Sequence, residues 1–291
     1  MPSPDDLRRR HLISPVELAA RLGIPDAPVI LDIRFRLNGP DGSRDYLAGH
    51  LPDAVYVDLP TELAGREQGF SGRRPLPAIA DLERDARRWG ISAGRSVVVY
   101  DNNGGQQASR AWWVLRWAGV KDVRLLDGGY AAWVAGGLPT TTLVPLPLRG
   151  DVALSPGHLP SIDADGAARL AAEGRLIDAR DAASYRGRET APGEPWEGHI
   201  PGAINLPTSG NLDPATGAFA TEADLRARFA ACGITAAGEE TPLGVYCGGG
   251  VTATHELLAL ATLGIDGVLF PGSWSAWSAD PARPVAHGDA P

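Results

Sequence analysis

Residues 244–260 read "GVYCGGGVTATHELLAL" and set Cys247, one of two cysteines in the chain, directly before three glycines. The residues leading into it, Leu243 to Tyr246, predict a short buried strand. Those after Thr252 carry apolar side chains at helical spacing, at Leu257, Leu258, Ala261 and Leu263. The thiol therefore falls on a strand-to-helix turn. Only the thiolate is a strong nucleophile, and a free thiol with a pKa near ~8.5 is mostly protonated at neutral pH. A helix starting near Thr252 aims unpaired N–H groups and its positive dipole end at that turn. Gly248, Gly249 and Gly250 are free to take backbone angles closed to other residues. Successive N–H groups, those of Val251 and Thr252 included, can then converge on one anionic sulfur. Helix N-termini of this kind lower a cysteine pKa to about 3.5–7.5. Cys247 is thus the candidate nucleophile, and residues 248–252 are the candidate anion-binding loop. Cys232, at the apolar helix end "RFAACG", reads as a small buried hydrophobe.

With 291 residues, the chain has a length prior of about two domains. An apolar fraction of 44% is ample for a core in each half. The net charge of −8 argues against nucleic acid or an anionic membrane surface as partner. It leaves room for a small anionic substrate held by a few local arginines. The two cysteines have no CxxC spacing and form no disulfide framework. The start has no apolar signal segment and no 18-residue apolar run occurs, so a cytoplasmic location is expected. The histidines lack metal-ligand spacing, and neither a metal nor an organic cofactor is expected.

One unit is written twice. "VILDIR" (29–34), "GHLPDAVYVDLP" (49–60), "SVVVYDNNGG" (96–105) and "LLDGGYAAW" (125–133) recur in order as "RLIDAR" (175–180), "GHIPGAINLP" (198–207), "PLGVYCGGG" (242–250) and "LFPGSWSAW" (269–277). Asp32 and Asp178 stand 146 positions apart, as do Asp101 and Cys247. Strands alternate with helices in each copy, which predicts an α/β fold of two mainly parallel sheets flanked by helices. Helix starts are marked by Ser14 before Pro15 and by Thr221 with Asp224, and helix ends by Gly23 and Gly233. The expected domains are residues 1–140, a proline-rich linker over 141–160, and residues 161–291. Ligands in such folds bind beyond the carboxyl ends of the strands, where Cys247 lies. Asp101 holds the equivalent place in the first copy and cannot act as a sulfur nucleophile, so that half is expected to be catalytically silent.

The duplicated D-x-R and G-H-[IL]-P segments, the loop "CGGGVTA" and the closing "GSWSAW" together resemble the tandem sulfurtransferases of the rhodanese superfamily, over nearly the whole chain. The resemblance implies two α/β domains, the second active, with substrate bound at their interface. It also implies a persulfide on Cys247, a sulfur donor such as 3-mercaptopyruvate or thiosulfate, and an acceptor such as cyanide, a thiol or a small redox protein. Thiosulfate enzymes tend toward C-R-K-G-V-T loops and mercaptopyruvate enzymes toward C-G-[ST]-G-V-T. The uncharged "CGGGVT" is nearer the second, with Gly249 in place of a hydroxyl residue. The family's arginine before an aromatic-x-Gly is replaced by Ser184, which leaves Arg186 or Arg188 to contact a substrate carboxylate. His50, with Asp41 upstream, matches a position the resemblance links to proton handling, although the parallel His199 gives the motif a structural use too. Trp274 is placed at the pocket, whereas Asp32 with Arg34 and Asp178 with Arg180 read as structural ion pairs.

Two other readings compete. A cysteine phosphatase needs an arginine six residues after the cysteine to grip phosphate, and that position is Ala253. A non-catalytic sulfur carrier or sensor module would take up sulfur once without turning over.

Overall fold

Val97–Tyr100 and Leu243–Tyr246 are the central strands of two parallel sheets, and each is buried at all four residues. Strands covered on both faces read as unbroken apolar runs, which is how "VVVY" and "LGVY" are written. The structure is a computed structural model that describes residues 4–35, 42–187, 198–235 and 242–291. In chain order the strands are β1 (Leu12–Ile13), β2 (Val29–Asp32), β3 (Val55–Tyr56), β4 (Val97–Tyr100), β5 (Val123–Leu126), β6 (Leu176–Asp178), β7 (Ile204–Asn205), β8 (Leu243–Tyr246) and β9 (Gly267–Leu269). The first sheet has the order β1-β5-β4-β2-β3 and the second β7-β6-β8-β9. All their pairings are parallel. The α/β class and the duplication expected from the sequence hold.

The copies agree in register as well as order. Asp32 pairs with Tyr100 and Asp178 with Tyr246. In the first unit the Arg34 guanidinium donates to Asp32 (Nη2 to Oδ2, 2.7 Å) and to the Gly49 carbonyl (2.7 Å). In the second, Arg180 donates to Asp178 (2.6 Å) and to the Gly198 carbonyl (2.7 Å). These buried pairs are hydrogen-bonded at several atoms, which offsets the desolvation of both charges. Each clamps a strand end to the loop that carries the G-H-x-P motif.

Contacts divide the chain into two units: residues 1–65, 76–159 and 212–219, and residues 66–75, 160–211 and 220–291. Residues 66–75 therefore pack with the second unit and 212–219 with the first, although each lies in the other half of the sequence. Arg8 Nη2 donates to the Phe219 carbonyl at 2.8 Å, and the Phe219 N–H donates to Asp127 at 2.7 Å.

The expected helix starts are present. Ser14 and Glu17 form a reciprocal capping box, and Thr221 Oγ1 accepts from the Asp224 N–H. Both helices stop before the glycines that were expected to end them. They span Pro15–Ala19 and Glu222–Ala230, and turns then lead to Gly23 (φ +70°) and Gly233 (φ +79°). Among the described residues, no helix is long and apolar enough to cross a membrane.

His11 is buried edge-on to Trp112, with its Nδ1 3.4 Å from Arg116. Burial first, then Arg116 and Arg10, lower its pKa from 6.5 to about 3. The unfolded chain takes up this proton first as pH falls, so the neutral ring's contribution is complete above pH 6.5 and is lost progressively toward about pH 3. His11→Phe keeps a ring against Trp112, and it should remove about 1–2 kcal/mol of the stability lost between neutral pH and about pH 5. Denaturation midpoints of the two proteins at both pH values measure this.

Candidate active site

Cys247 follows β8 at the carboxyl end of the sheet, and the helix Ala253–Thr262 begins after a loop of five residues. Two elements hold it. The Cys247 N–H donates to Ser273 Oγ (3.1 Å), and the Cys247 carbonyl accepts from the Trp274 N–H (2.9 Å). The sulfur itself accepts from the Gly250 N–H at 3.2 Å and lies 4.0 Å from the Ser273 hydroxyl. Ser273 holds φ +53°, a left-handed conformation uncommon for a residue with a side chain. Gly129 takes φ +58° at the equivalent place in the first unit. The sequence motif gives no sign that Ser273 would reach the cysteine.

The sulfur is more enclosed than an open pocket mouth would make it, since Cys247 is only 1% exposed. It nonetheless has polar groups beside it: the Gly250 N–H at 3.2 Å and the Ser273 hydroxyl at 4.0 Å.

The three glycines do different things. Gly250 has φ +75°, and a Cβ there would lie 2.3 Å from the Pro271 carbonyl, so only glycine fits. Gly248 and Gly249 are not in the left-handed region. A Cβ at Gly248 would meet Arg73 Nη2 at 3.5 Å, and one at Gly249 would meet Arg74 Nη1 at 3.7 Å, both ordinary contacts. Of the three glycines expected to be free to take backbone angles closed to other residues, Gly250 alone does so. The helix after the loop starts at Ala253, and Thr252 makes no side-chain cap.

The first unit shows what such a loop does to an anion. The Asp101 carboxylate accepts from four main-chain N–H groups: Asn103 (2.8 Å) and Gly105 (2.9 Å) on one oxygen, Gln107 (2.8 Å) and Ala108 (2.9 Å) on the other. Full burial pushes its pKa up, and these N–H groups pull it back. The convergent ring of donors is filled here by the protein's own side chain.

Arg73 and Arg74 are the site residues that sequence reasoning missed. They arrive on the segment 66–75, which packs within the second unit. The Arg73 N–H donates to Ser275 Oγ at 3.0 Å. Gly72, at φ +80°, lies so close to the 272–275 turn that a Cβ would meet the Gly272 carbonyl at 2.4 Å. Burial and Arg73 lower the pKa of Arg74, while Cys247 raises it. The signal in the sequence was an adjacent arginine pair between a glycine and a proline, in "SGRRPLP".

The remaining candidates are placed as follows. Arg186 is ion-paired with Asp289, its side chain 40% exposed, and Arg188 and Asp41 lie outside the described residues. The Ser184 N–H donates to Asp181 Oδ1 at 2.9 Å, an N-cap for a short helix. His50 is buried in the first unit, stacked on Tyr46 at 3.8 Å, with ring nitrogens 2.8 Å from the Tyr46 carbonyl and 3.1 Å from that of Leu143. His199 repeats this arrangement with Tyr185 in the second unit. The Trp274 ring lies in the core beside Tyr246 and Phe270, with the Arg180 guanidinium 4.7 Å from its centroid. Among the described residues, no cluster of three or more His, Cys, Asp or Glu side chains could hold a metal ion.

The rhodanese-like domain family model matches the chain twice, over residues 14–136 and 163–280. A Mycobacterium tuberculosis protein provisionally named as a thiosulfate sulfurtransferase is 43% identical over 97% of this chain and 99% of its own length. A Pseudomonas aeruginosa protein, provisionally named as a 3-mercaptopyruvate sulfurtransferase, is 41% identical over 96% of this chain and 99% of its own. Among solved structures, that of an Escherichia coli 3-mercaptopyruvate sulfotransferase superposes with a TM-score of 0.77 at 29% identity, covering 91% of this chain and 98% of the other.

The different roles of the glycines are testable by substitution. Gly250→Ala must strain the backbone or displace Pro271, a cost on the order of 1–3 kcal/mol. Gly249→Ala should fold with wild-type stability, because its Cβ has ordinary room. Thermal unfolding of the two variants beside the wild type separates them.

Proposed function

This chain belongs to the rhodanese-like domain family, and from that premise we propose that it is a sulfurtransferase using Cys247 as nucleophile, with 3-mercaptopyruvate favoured over thiosulfate as donor. The observation that carries the reading is a thiol at the carboxyl end of a central parallel strand, with a loop N–H on its sulfur and a helix N-terminus behind it. The Cys247 thiolate attacks the donor's outer sulfur, and a sulfur–sulfur bond forms. With 3-mercaptopyruvate the carbon–sulfur bond breaks, its electron pair stays with the carbon, and the thiol proton ends on that carbon to give pyruvate. With thiosulfate the sulfur–sulfur bond of the donor breaks and sulfite leaves. Cys247 then carries a persulfide. An acceptor nucleophile (a thiol, cyanide or a small redox protein) takes the outer sulfur and restores the thiolate, a ping-pong cycle.

The Gly250 N–H and the other loop amides stabilise the anionic persulfide. Burial of the sulfur shields it from water and stray thiols. The Asp101 half carries no sulfur in this scheme. No metal or organic cofactor takes part. We place the reaction in the cytoplasm, where thiols stay reduced, in keeping with two free cysteines.

Treatment with either donor should raise the intact mass by one sulfur, and Cys247→Ser should abolish both the gain and turnover. Turnover should be faster with 3-mercaptopyruvate than with thiosulfate. A protein that takes up sulfur once and does not cycle would instead be a carrier.

A further inference from the structure

Resting on the sulfurtransferase reading, we infer that Arg73 and Arg74 bind the anionic head of the sulfur donor. The head in question is an oxyanion, either a carboxylate or the sulfonate end of thiosulfate. The loop after Cys247 carries no charge of its own, and chemistry on an anionic donor beside an anionic sulfur needs positive charge close by. The segment 66–75 supplies it. Its two guanidiniums lie over the bare main chain of Gly248 and Gly249, with Arg73 Nη2 3.5 Å and Arg74 Nη1 3.7 Å from where Cβ atoms would stand. A longer side chain at either position would enter the space the guanidiniums occupy, which gives glycine at 248 and 249 a reason that backbone angles do not.

The segment is held by its backbone. Gly72 backs onto the Gly272 carbonyl, and the Arg73 N–H donates to Ser275 Oγ at 3.0 Å. The Ser275 N–H in turn donates to the Gly248 carbonyl at 3.0 Å. Main chain thus fixes the arginines to the same turn that holds the nucleophile's loop. The two like charges are half-buried and close enough that Arg73 lowers the pKa of Arg74, and an oxyanion is the kind of ligand such a pair favours. The planar guanidinium fork suits either donor head. Coulomb coupling of Arg74 to Cys247 agrees with this closeness.

Donor KM is the decisive measurement. Arg73→Gln and Arg74→Gln should each raise it about ten- to a hundredfold, the scale of a lost charge-assisted hydrogen bond. The KM for an uncharged thiol acceptor such as dithiothreitol should stay put, and Arg→Lys should recover part of the loss. A rise with 3-mercaptopyruvate alone identifies the carboxylate as the ligand, a rise with thiosulfate alone the sulfonate, and a rise with both a shared site. An unchanged KM for both donors in both variants overturns the proposal.

A second probe does not depend on turnover. In a Cys232→Ser background, the ratio of Cys247 alkylation by iodoacetate to that by iodoacetamide should fall in the Gln variants, because only iodoacetate is anionic. A ratio that stays constant, or a Cys247 that neither reagent modifies, overturns the assignment. If the wild type moves sulfur from neither donor, the sulfurtransferase reading fails by itself, and this ratio still decides what the arginines bind.

Discussion

Main-chain N–H groups at a buried helix start must find an acceptor, and that requirement shapes the carboxyl end of both sheets. In the first unit the loop is satisfied by the Asp101 carboxylate, which takes four N–H groups at 2.8–2.9 Å. In the second unit the equivalent residue is Cys247, and one N–H, that of Gly250, reaches its sulfur. The same fold thus carries a carboxylate at this place in one copy and a thiol in the other. A carboxylate fills its cradle and has nothing to exchange. The thiol, with the Gly250 N–H on its sulfur, fills the cradle less completely.

The rest of the repeated sequence keeps that cradle in place. Asp178 and Arg180 clamp the end of β6 to the Gly198 carbonyl, and the Tyr246 hydroxyl accepts from the Ile200 N–H at 3.1 Å. Tyr100 does the same for Leu51 in the first unit, at 3.2 Å. His50 and His199 each stack on a tyrosine and bridge two carbonyls. These contacts recur in the unit that carries Asp101 and in the unit that carries Cys247, as scaffolding does, and in the second unit they fix the residue before Cys247 from two sides.

What was legible in the sequence was local or repeated. The strands "VVVY" and "LGVY", the caps at Ser14 and Thr221, and the strand–thiol–helix turn all follow from neighbouring residues, and duplication made the strands visible twice. Helix ends at Gly23 and Gly233 were overestimated because a left-handed glycine ends the turn that follows a helix as readily as the helix itself. Arg73 and Arg74 escaped because nothing near Cys247 in the chain announces them. Packing of residues 66–75 with the second unit brings them there. Arg186, one of two arginines expected to contact a substrate carboxylate, pairs instead with Asp289, far along the chain. Gly249 looked like a lost hydroxyl and proves to be space beneath a guanidinium.

The crossing of segments between the units bears on how the protein is made. Residues 212–219 complete the first unit, tied in by Arg8 and Asp127, and residues 66–75 complete the second. A nascent chain cannot finish its first unit until Phe219 has left the ribosome, well into synthesis of the second. Cutting the gene at the midpoint would therefore yield two fragments that each lack a strip of their own surface, and co-expression rather than separate purification is the condition under which they would mature.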